Sequence, residues 1–300
     1  MVDEAAGSAD HGVQVGAARI LNAMSVDVED YFHVSALASS VRRGEWPQME
    51  YRAESSTHKL LAIFDEFEVK ATFYVLGWLA EKSPGLVREI HAEGHEVACH
   101  GLAHELVYQQ TPGDFLGQTR TAKQVLEDII GDRVLGYRAA SWSITDQSLW
   151  ALDIILDLGF RYDSSVFPIR HDRYGIPSAS PRPGLISTPS GRKVVEFPPS
   201  TIDLFGQRLP VSGGGYFRIL PYGWTRFGLR RVNEKSNQPI NFYLHPWEVD
   251  PKQPRIKTSW FSRFRHYTNL DRTEHRLRRL LKEFSFTTTR NVLTELKLLG

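Results

Sequence analysis

His100 and His104, four residues apart in His100-Gly-Leu-Ala-His104, are the pair in this chain whose type and spacing most suggest chemistry. On a helix or tight helical turn this spacing brings both imidazoles to one face, aimed at one point. Two such imidazoles can hold a divalent metal; surface or capping histidines are the alternative for an isolated pair. Carboxylates that could complete the site lie early, in Ser25-Val-Asp27-Val-Glu29-Asp30. Strand alternation puts Asp27 and Glu29 on one face, and Asp30 follows as the strand gives way to loop. Three carboxylates this close repel unless a cation or an arginine neutralises them. The alternative is a solvated acidic loop, but Val26 and Val28 tie the segment to a core. One carboxylate with two histidines forms a tripod that leaves positions open for water and substrate. Three further groups follow apolar runs: Arg138, suited to pairing with a buried carboxylate or a surface acid; Asp163, which could instead cap the Ser164-Ser165 turn; and His245.

These groups need elements that end where they stand. Residues 20–28 read as a first strand and residues 55–67 as an amphipathic helix capped by Ser55 or Ser56. Residues 71–76 are a buried strand. A helix begins at Ser83-Pro84 and stops at Gly94, and a third strand covers 95–99. A long helix over 114–130 closes at Gly131, and a short strand follows at 136–138. A Thr-capped helix spans 145–158 and a strand spans 160–163. Prolines and Gly213-Gly-Gly215 make 168–223 a region of loops and hairpins. A late strand covers 240–244, and a terminal amphipathic helix covers 273–284. Strand–helix alternation predicts a parallel sheet with crossover helices, and the number of units suits a (β/α) barrel. Sites in such barrels gather at the C-terminal ends of the strands, where the candidate groups stand. The expected organisation is a disordered lead over 1–18, a barrel over 19–250 with the loop-rich insertion 168–223, and an extension over 251–300 packed on the barrel.

With 300 residues, 41% apolar and 24% charged, the chain can bury a large core. A formal net charge of +1 offers no global case for nucleic-acid or membrane binding. Arginines nevertheless crowd the C-terminal third, as a solvated helical face or as a groove for an anionic polymer. The single cysteine, Cys99, excludes an intramolecular disulfide and reads as a small core residue. Residues 1–18 carry Asp3, Glu4 and Asp10 and no apolar core of a signal peptide, and no run suits a membrane-spanning helix. The expectation from these features is a cytoplasmic protein. There is no G-x-S-x-G motif to support a serine nucleophile.

The ordered set Asp27-Val-Glu29-Asp30, His100-Gly-Leu-Ala-His104, Gly136-Tyr-Arg138-Ala-Ala-Ser141, Tyr162-Asp163-Ser-Ser165 and Leu244-His245 resembles the five motifs of the NodB-homology polysaccharide deacetylases, carbohydrate esterase family four. Val26-Asp-Val-Glu-Asp-Tyr-Phe32, Gly213-Gly-Gly-Tyr-Phe217 and Phe264-Arg-His-Tyr-Thr-Asn-Leu270 resemble the exosortase-associated, exopolysaccharide branch with its own C-terminal extension. The resemblance implies an α/β fold, a distorted (β/α) barrel of about seven strands. It also implies a metal-dependent N-deacetylase acting on N-acetylated sugar units of a polysaccharide or its precursor, of exopolysaccharide or peptidoglycan type. Asp27 matches the base, and either Glu29 or Asp30, with His100 and His104, the ligands of one divalent metal. Zn²⁺ is the first expectation, with Co²⁺, Ni²⁺ or Fe²⁺ as alternatives. Arg138 matches the residue that orients the base, and His245 the acid, aligned by Asp163. The Ser141 N–H would meet the oxyanion, and Trp142, Tyr174, Tyr216 and Trp247 would stack on sugar rings. Ala140 and Ser141 replace the proline and aromatic residue of the arginine motif. The implied partner is an N-acetylated glycan, with a peripheral encounter if that glycan is lipid-linked. Two other readings compete: a cyclic-amide hydrolase of allantoinase type on the same fold, and a catalytically silent glycan-binding protein.

Overall fold

The structure, a computed structural model, describes residues 20–300; the lead expected over 1–18 lies outside the described residues. The chain runs β1 (Asn22–Val28), α1 (Ala53–Glu66), β2 (Thr72–Val75), α2 (Gly77–Lys82), α3 (Pro84–Ala92), β3 (Glu96–Cys99), α4 (Pro112–Ile130), β4 (Gly136–Tyr137), α5 (Trp150–Asp157) and β5 (Tyr162–Asp163). It continues through β6 (Gly184–Ser187), β7 (Lys193–Glu196), β8 (Thr201–Leu204), β9 (Gln207–Pro210), α6 (Gly214–Ile219), α7 (Tyr222–Arg230) and β10 (Asn241–Leu244). The last elements are α8 (Trp260–Tyr267), α9 (Leu270–Glu283), β11 (Phe286–Thr287) and α10 (Thr289–Glu295).

The main sheet has the order β10-β1-β2-β3-β4-β5-β7-β6, with β11 pairing the start of β1; β8 and β9 form a separate hairpin. All main-sheet pairs are parallel except β6 with β7. Every residue of β1, β2, β3 and β10 is buried, as expected of parallel strands covered on both faces. The sheet is curled. On a flat sheet β1 and β4 would lie about 14 Å apart, yet Arg138, just after β4, reaches Asp27 on β1 at 2.6 Å. Across the seam between β7 and β10, Asn241 donates to the Phe197 carbonyl at 2.7 Å and to Ser164 Oγ at 3.0 Å. This is the mixed α/β half-barrel that the strand–helix alternation predicts.

Apolar side chains of α1, α3, α4 and α5 pack outside the sheet, among them Leu60, Phe64, Leu86, Phe115 and Leu152. Inside, Tyr74, Ala98, Tyr162 and Phe197 cluster with Val292 and Leu293 of α10, which stops the lower end of the barrel. The α10 N-terminus sits on buried Glu96, whose carboxylate accepts from the Arg290 N–H at 3.0 Å.

Several boundaries depart from the sequence reading, for local reasons. The Asp30 carboxylate, rather than Ser55 or Ser56, caps α1 by accepting the Arg52 and Ala53 N–H groups at 2.7 and 2.8 Å. The helix expected from residue 145 begins at Trp150, because Ser148 Oγ bonds the Thr145 N–H and the Ser143 carbonyl and holds a turn. The proline-rich insertion contains two hairpins as expected, and α6 follows in the glycine-rich run. Gly213 there has φ +129°, and a Cβ would fall 1.9 Å from the Tyr243 carbonyl oxygen.

Candidate active site

The side chains singled out above converge at the C-terminal ends of β1, β3, β4 and β10. Period-two alternation along β1 sends Asp27 and Glu29 to the barrel interior together. Glu29 Oε1 lies 3.1 Å from Nε2 of both His100 and His104. The expected helical turn between these histidines is absent. The segment bends through left-handed Gly101 (φ +78°) and His104 (φ +52°), and the bend brings the second ring back.

His100 Nδ1 donates to the Arg138 carbonyl at 2.8 Å. Its Nε2 therefore meets a Glu29 carboxylate oxygen at 3.1 Å either as a lone pair or, in the imidazolium, as a proton donor. Two acceptors facing each other need a cation or a proton between them, and a ligating histidine fixed by a backbone carbonyl is the usual metal arrangement. The ligating atoms of Glu29, His100 and His104 lie within 4.8 Å of one another, as do those of Asp27, Glu29 and His245. Burial would raise the Glu29 pKa, but the charge of His104 and hydrogen bonds from both histidines hold it well below the ordinary range. The donor set fits a divalent metal.

Asp30 does not join this set. It is fully buried, and its oxygens are taken by the backbone N–H groups of Tyr31, Arg52 and Ala53. Burial outweighs those bonds and lifts its pKa to about 6. Of the two acids left open as ligand, Glu29 is the one at the histidines.

Arg138 is buried at the barrel centre. It donates to Asp27 Oδ1 at 2.6 Å, Ser25 Oγ at 2.9 Å and Ser164 Oγ at 2.9 Å, and it lies 4.0 Å from the Tyr74 ring centroid. The salt bridge leaves Asp27 Oδ2 facing His245 Nε2 at 3.9 Å.

The partner of His245 differs from expectation. Asp163 accepts from Ser165 and stands beside Glu196, its neighbour across the β5–β7 pair. Burial raises the pKa of both acids, and the charge of Asp163 raises that of Glu196 further, so Glu196 holds its proton to higher pH than a free carboxyl. His245 instead contacts Glu248, which accepts from its Nδ1 at 3.2 Å and its backbone N–H at 3.0 Å. Glu248 is held by Arg218 at 2.5 Å, and Arg218 is anchored on the carbonyls of Arg265, His266 and Thr268. Burial would depress the His245 pKa, but the Glu248 bond and the charges of Glu29 and Asp27 lift it to about 9. Glu248 and Arg218 escaped the sequence reading. The available sign was His245-Pro-Trp-Glu248, an i, i+3 acid following a Pro-initiated turn.

A cavity of about 620 Å³ opens above these groups. Ser141, Trp142, Tyr174, Tyr216 and Trp247 all line it. Ser141 and Trp142 are consecutive left-handed residues (φ +51° and +50°), strain that clusters at functional sites. Trp247 departs from the expected sugar platform: it is buried, and its ring stacks on His245 and His266 at centroid distances of 5.2 and 4.3 Å. Its structural part is to buttress His245. Cys99 is buried and its thiol is pushed up to about 12 by burial, so it is no nucleophile.

Residues 47–162 match the polysaccharide deacetylase family, and residues 164–294 match a domain of unknown function, DUF3473. A chitooligosaccharide deacetylase of Bradyrhizobium sp. (strain ANU 289) is 28% identical over 95 residues, 32% of this chain and 43% of that protein. The chain spans less than half the length of the first curated relatives it matches. Among solved structures, a candidate polysaccharide deacetylase from Mycobacterium smegmatis superposes with TM-score 0.62 at 17% identity, over 94% of this chain and 93% of that one. Puue allantoinase superposes with TM-score 0.60 at 14% identity, over 90% and 87%. At these identities the superpositions speak for the fold alone. The deacetylase match runs through β2, β3 and β4 to the start of β5, so residues 47–162 carry a polysaccharide deacetylase domain, on a barrel that the superposed structures share.

Proposed function

We propose that this protein is a metal-dependent N-deacetylase that removes acetyl groups from N-acetylated sugars of an exopolysaccharide or its lipid-linked precursor. The observation that carries the reading is the convergence of Glu29, His100 and His104 with Asp27 and His245 at the floor of one cavity. Glu29, His100 and His104 would hold one divalent ion, Zn²⁺ first and Co²⁺, Ni²⁺ or Fe²⁺ as alternatives. Such an ion, when bound, activates water and polarises an acyl carbonyl.

The chain's own residues supply the proton transfers. Arg138 fixes Asp27 through Oδ1, leaving Oδ2 to accept the proton of the attacking water. Protonated His245, held by Glu248, gives its Nε2 proton to the departing amine nitrogen. The C–N bond breaks, and water is divided between acetate and the freed amine. Ser141 would present its N–H to the developing oxyanion. Trp142, Tyr174 and Tyr216 would flank the sugar, while Asp163 acts on the barrel wall rather than on His245. The size and aromatic lining of the cavity favour a glycan over a small cyclic amide.

The test is acetate release from N-acetylglucosamine oligomers with and without added Zn²⁺ or Co²⁺. Metal-stimulated release, lost in Asp27→Asn and His245→Ala, is expected. Release that survives chelation, or persists in Asp27→Asn, would overturn the mechanism.

A further inference from the structure

The C-terminal segment ahead of α9 is unusual in charge and in what it exposes. Residues 251–270 contain Lys252, Arg255, Lys257, Arg263 and Arg265 and no acidic residue. The acid just before them, Asp250, is occupied by Arg52 at 2.5 Å. Within this basic stretch α8 turns three large aromatics outward: Trp260 is 76%, Phe261 60% and Phe264 42% exposed. They stand at i, i+1 and i+4, hence on one face of the helix. Trp260 and Phe264 stack at 5.7 Å, and the Arg265 guanidinium covers the Phe261 ring at 5.4 Å. Only His266 of α8 is buried. Other exposed apolar side chains, such as Leu185 and Phe205, lie on separate elements, as is ordinary for a soluble surface.

A water-exposed aromatic face flanked along the chain only by cations is costly beside water and suited to the boundary of an anionic bilayer. Aromatic rings settle at headgroup depth, and nearby Lys and Arg side chains are drawn to anionic lipid. The position of α8 gives this surface a purpose. Its Arg265 and His266 line the catalytic cavity, and the helix packs beside residues 35–37, of which Ser35 and Ala36 also line it. Arg42 and Arg173 add positive charge to the same lining, while Arg43 there is paired with Glu105.

We infer that α8 and its flanking basic residues form an interfacial docking surface for an anionic lipid bilayer, seating the cavity mouth against glycan carried at the membrane. Only the identity of that cargo rests on the deacetylase reading; the lipid surface stands on its own observations.

The test uses the full chain and co-sedimentation with vesicles of phosphatidylcholine alone or with about one third phosphatidylglycerol. The protein is expected to sediment with the anionic vesicles, to bind neutral ones weakly and to be released by salt. The triple variant Trp260→Ser, Phe261→Ser, Phe264→Ser and, separately, Arg255→Gln, Lys257→Gln, Arg263→Gln should each lower partitioning at least about tenfold. Melting temperature and acetate release from soluble oligomers should stay unchanged in both. Absence of binding to anionic vesicles, or equal binding by the aromatic variant, would overturn the inference. So would a wild-type dimer that the aromatic variant converts to monomer, since the patch would then be covered by a second copy. Vesicle binding without acetate release from any oligomer would sink the deacetylase reading and leave the bilayer surface supported.

Discussion

At the residue scale, neighbouring acids have separate tasks because their oxygens meet different partners. Glu29 faces two imidazole nitrogens, whereas Asp30 faces three backbone N–H groups. Glu29→Gln should therefore lower Zn²⁺ affinity by at least about tenfold, and Asp30→Asn should leave it near wild type; titration against a chelator of known affinity decides. Glu248 is the counterpart for His245. Glu248→Gln keeps the shape but removes the charge that raises the His245 pKa. The expected result is a loss of roughly 10- to 100-fold in kcat with KM little changed and the alkaline limb of the pH–rate profile moved to lower pH. The same measurements on Asp163→Asn should show no such movement, because Asp163 faces Glu196.

At the element scale, side chains tie strands and helices together across long sequence separations. Asp30 holds the start of α1, so Asp30→Ala should cost about 1–2 kcal/mol in chemical unfolding. The β5–β7 pair makes a prediction of opposite character. Asp163 and Glu196 both have pKa values raised by burial, and Asp163 raises that of Glu196 further. The folded state thus keeps a proton that the unfolded chain releases at lower pH. The stability this pair contributes is complete below the ordinary carboxyl range and drains away as pH rises through the raised values. Glu196→Gln can still donate to Asp163 but does not titrate. Its melting temperature should fall less than that of wild type between about pH 5 and about pH 8; identical slopes would remove the pair from the explanation.

For the whole molecule, the last elements close what the first ones open. Strand β11 pairs with β1, and α10 places Val292 and Leu293 beneath the barrel while its N-terminus meets Glu96. Burying two such side chains contributes roughly 3–6 kcal/mol, a large share of the ~5–15 kcal/mol that holds a domain together. Deleting residues 288–300 should therefore lower the melting temperature steeply and expose the core to a hydrophobic dye. A deletion variant that melts like the full chain would show that α10 is not a closing element. The two matched regions are likewise interdependent at the site. His245, Glu248 and Arg218 come from residues 164–294, His100 and Arg138 from residues 47–162, and Glu29 precedes both. Among the described residues no helix is long and apolar enough to cross a membrane.

The sequence by itself determined the strand–helix alternation and the curled parallel sheet, because burial on both faces demands continuous apolar strands such as Ala71–Leu76. It also placed Asp27, Glu29, His100, Arg138 and His245 at strand ends, since a motif beside a strand terminus is a local pattern. Tertiary structure decided whatever depends on which face a side chain meets. Asp30 turned to α1, Asp163 turned to Glu196, and Trp247 turned under His245. Glu248 gained its place through Arg218, thirty residues away, whose anchors lie farther along still. Spacing along a chain constrains neighbours on one element; only the closing of the sheet brings β10 against β1 and selects, among several nearby acids, the one each histidine meets.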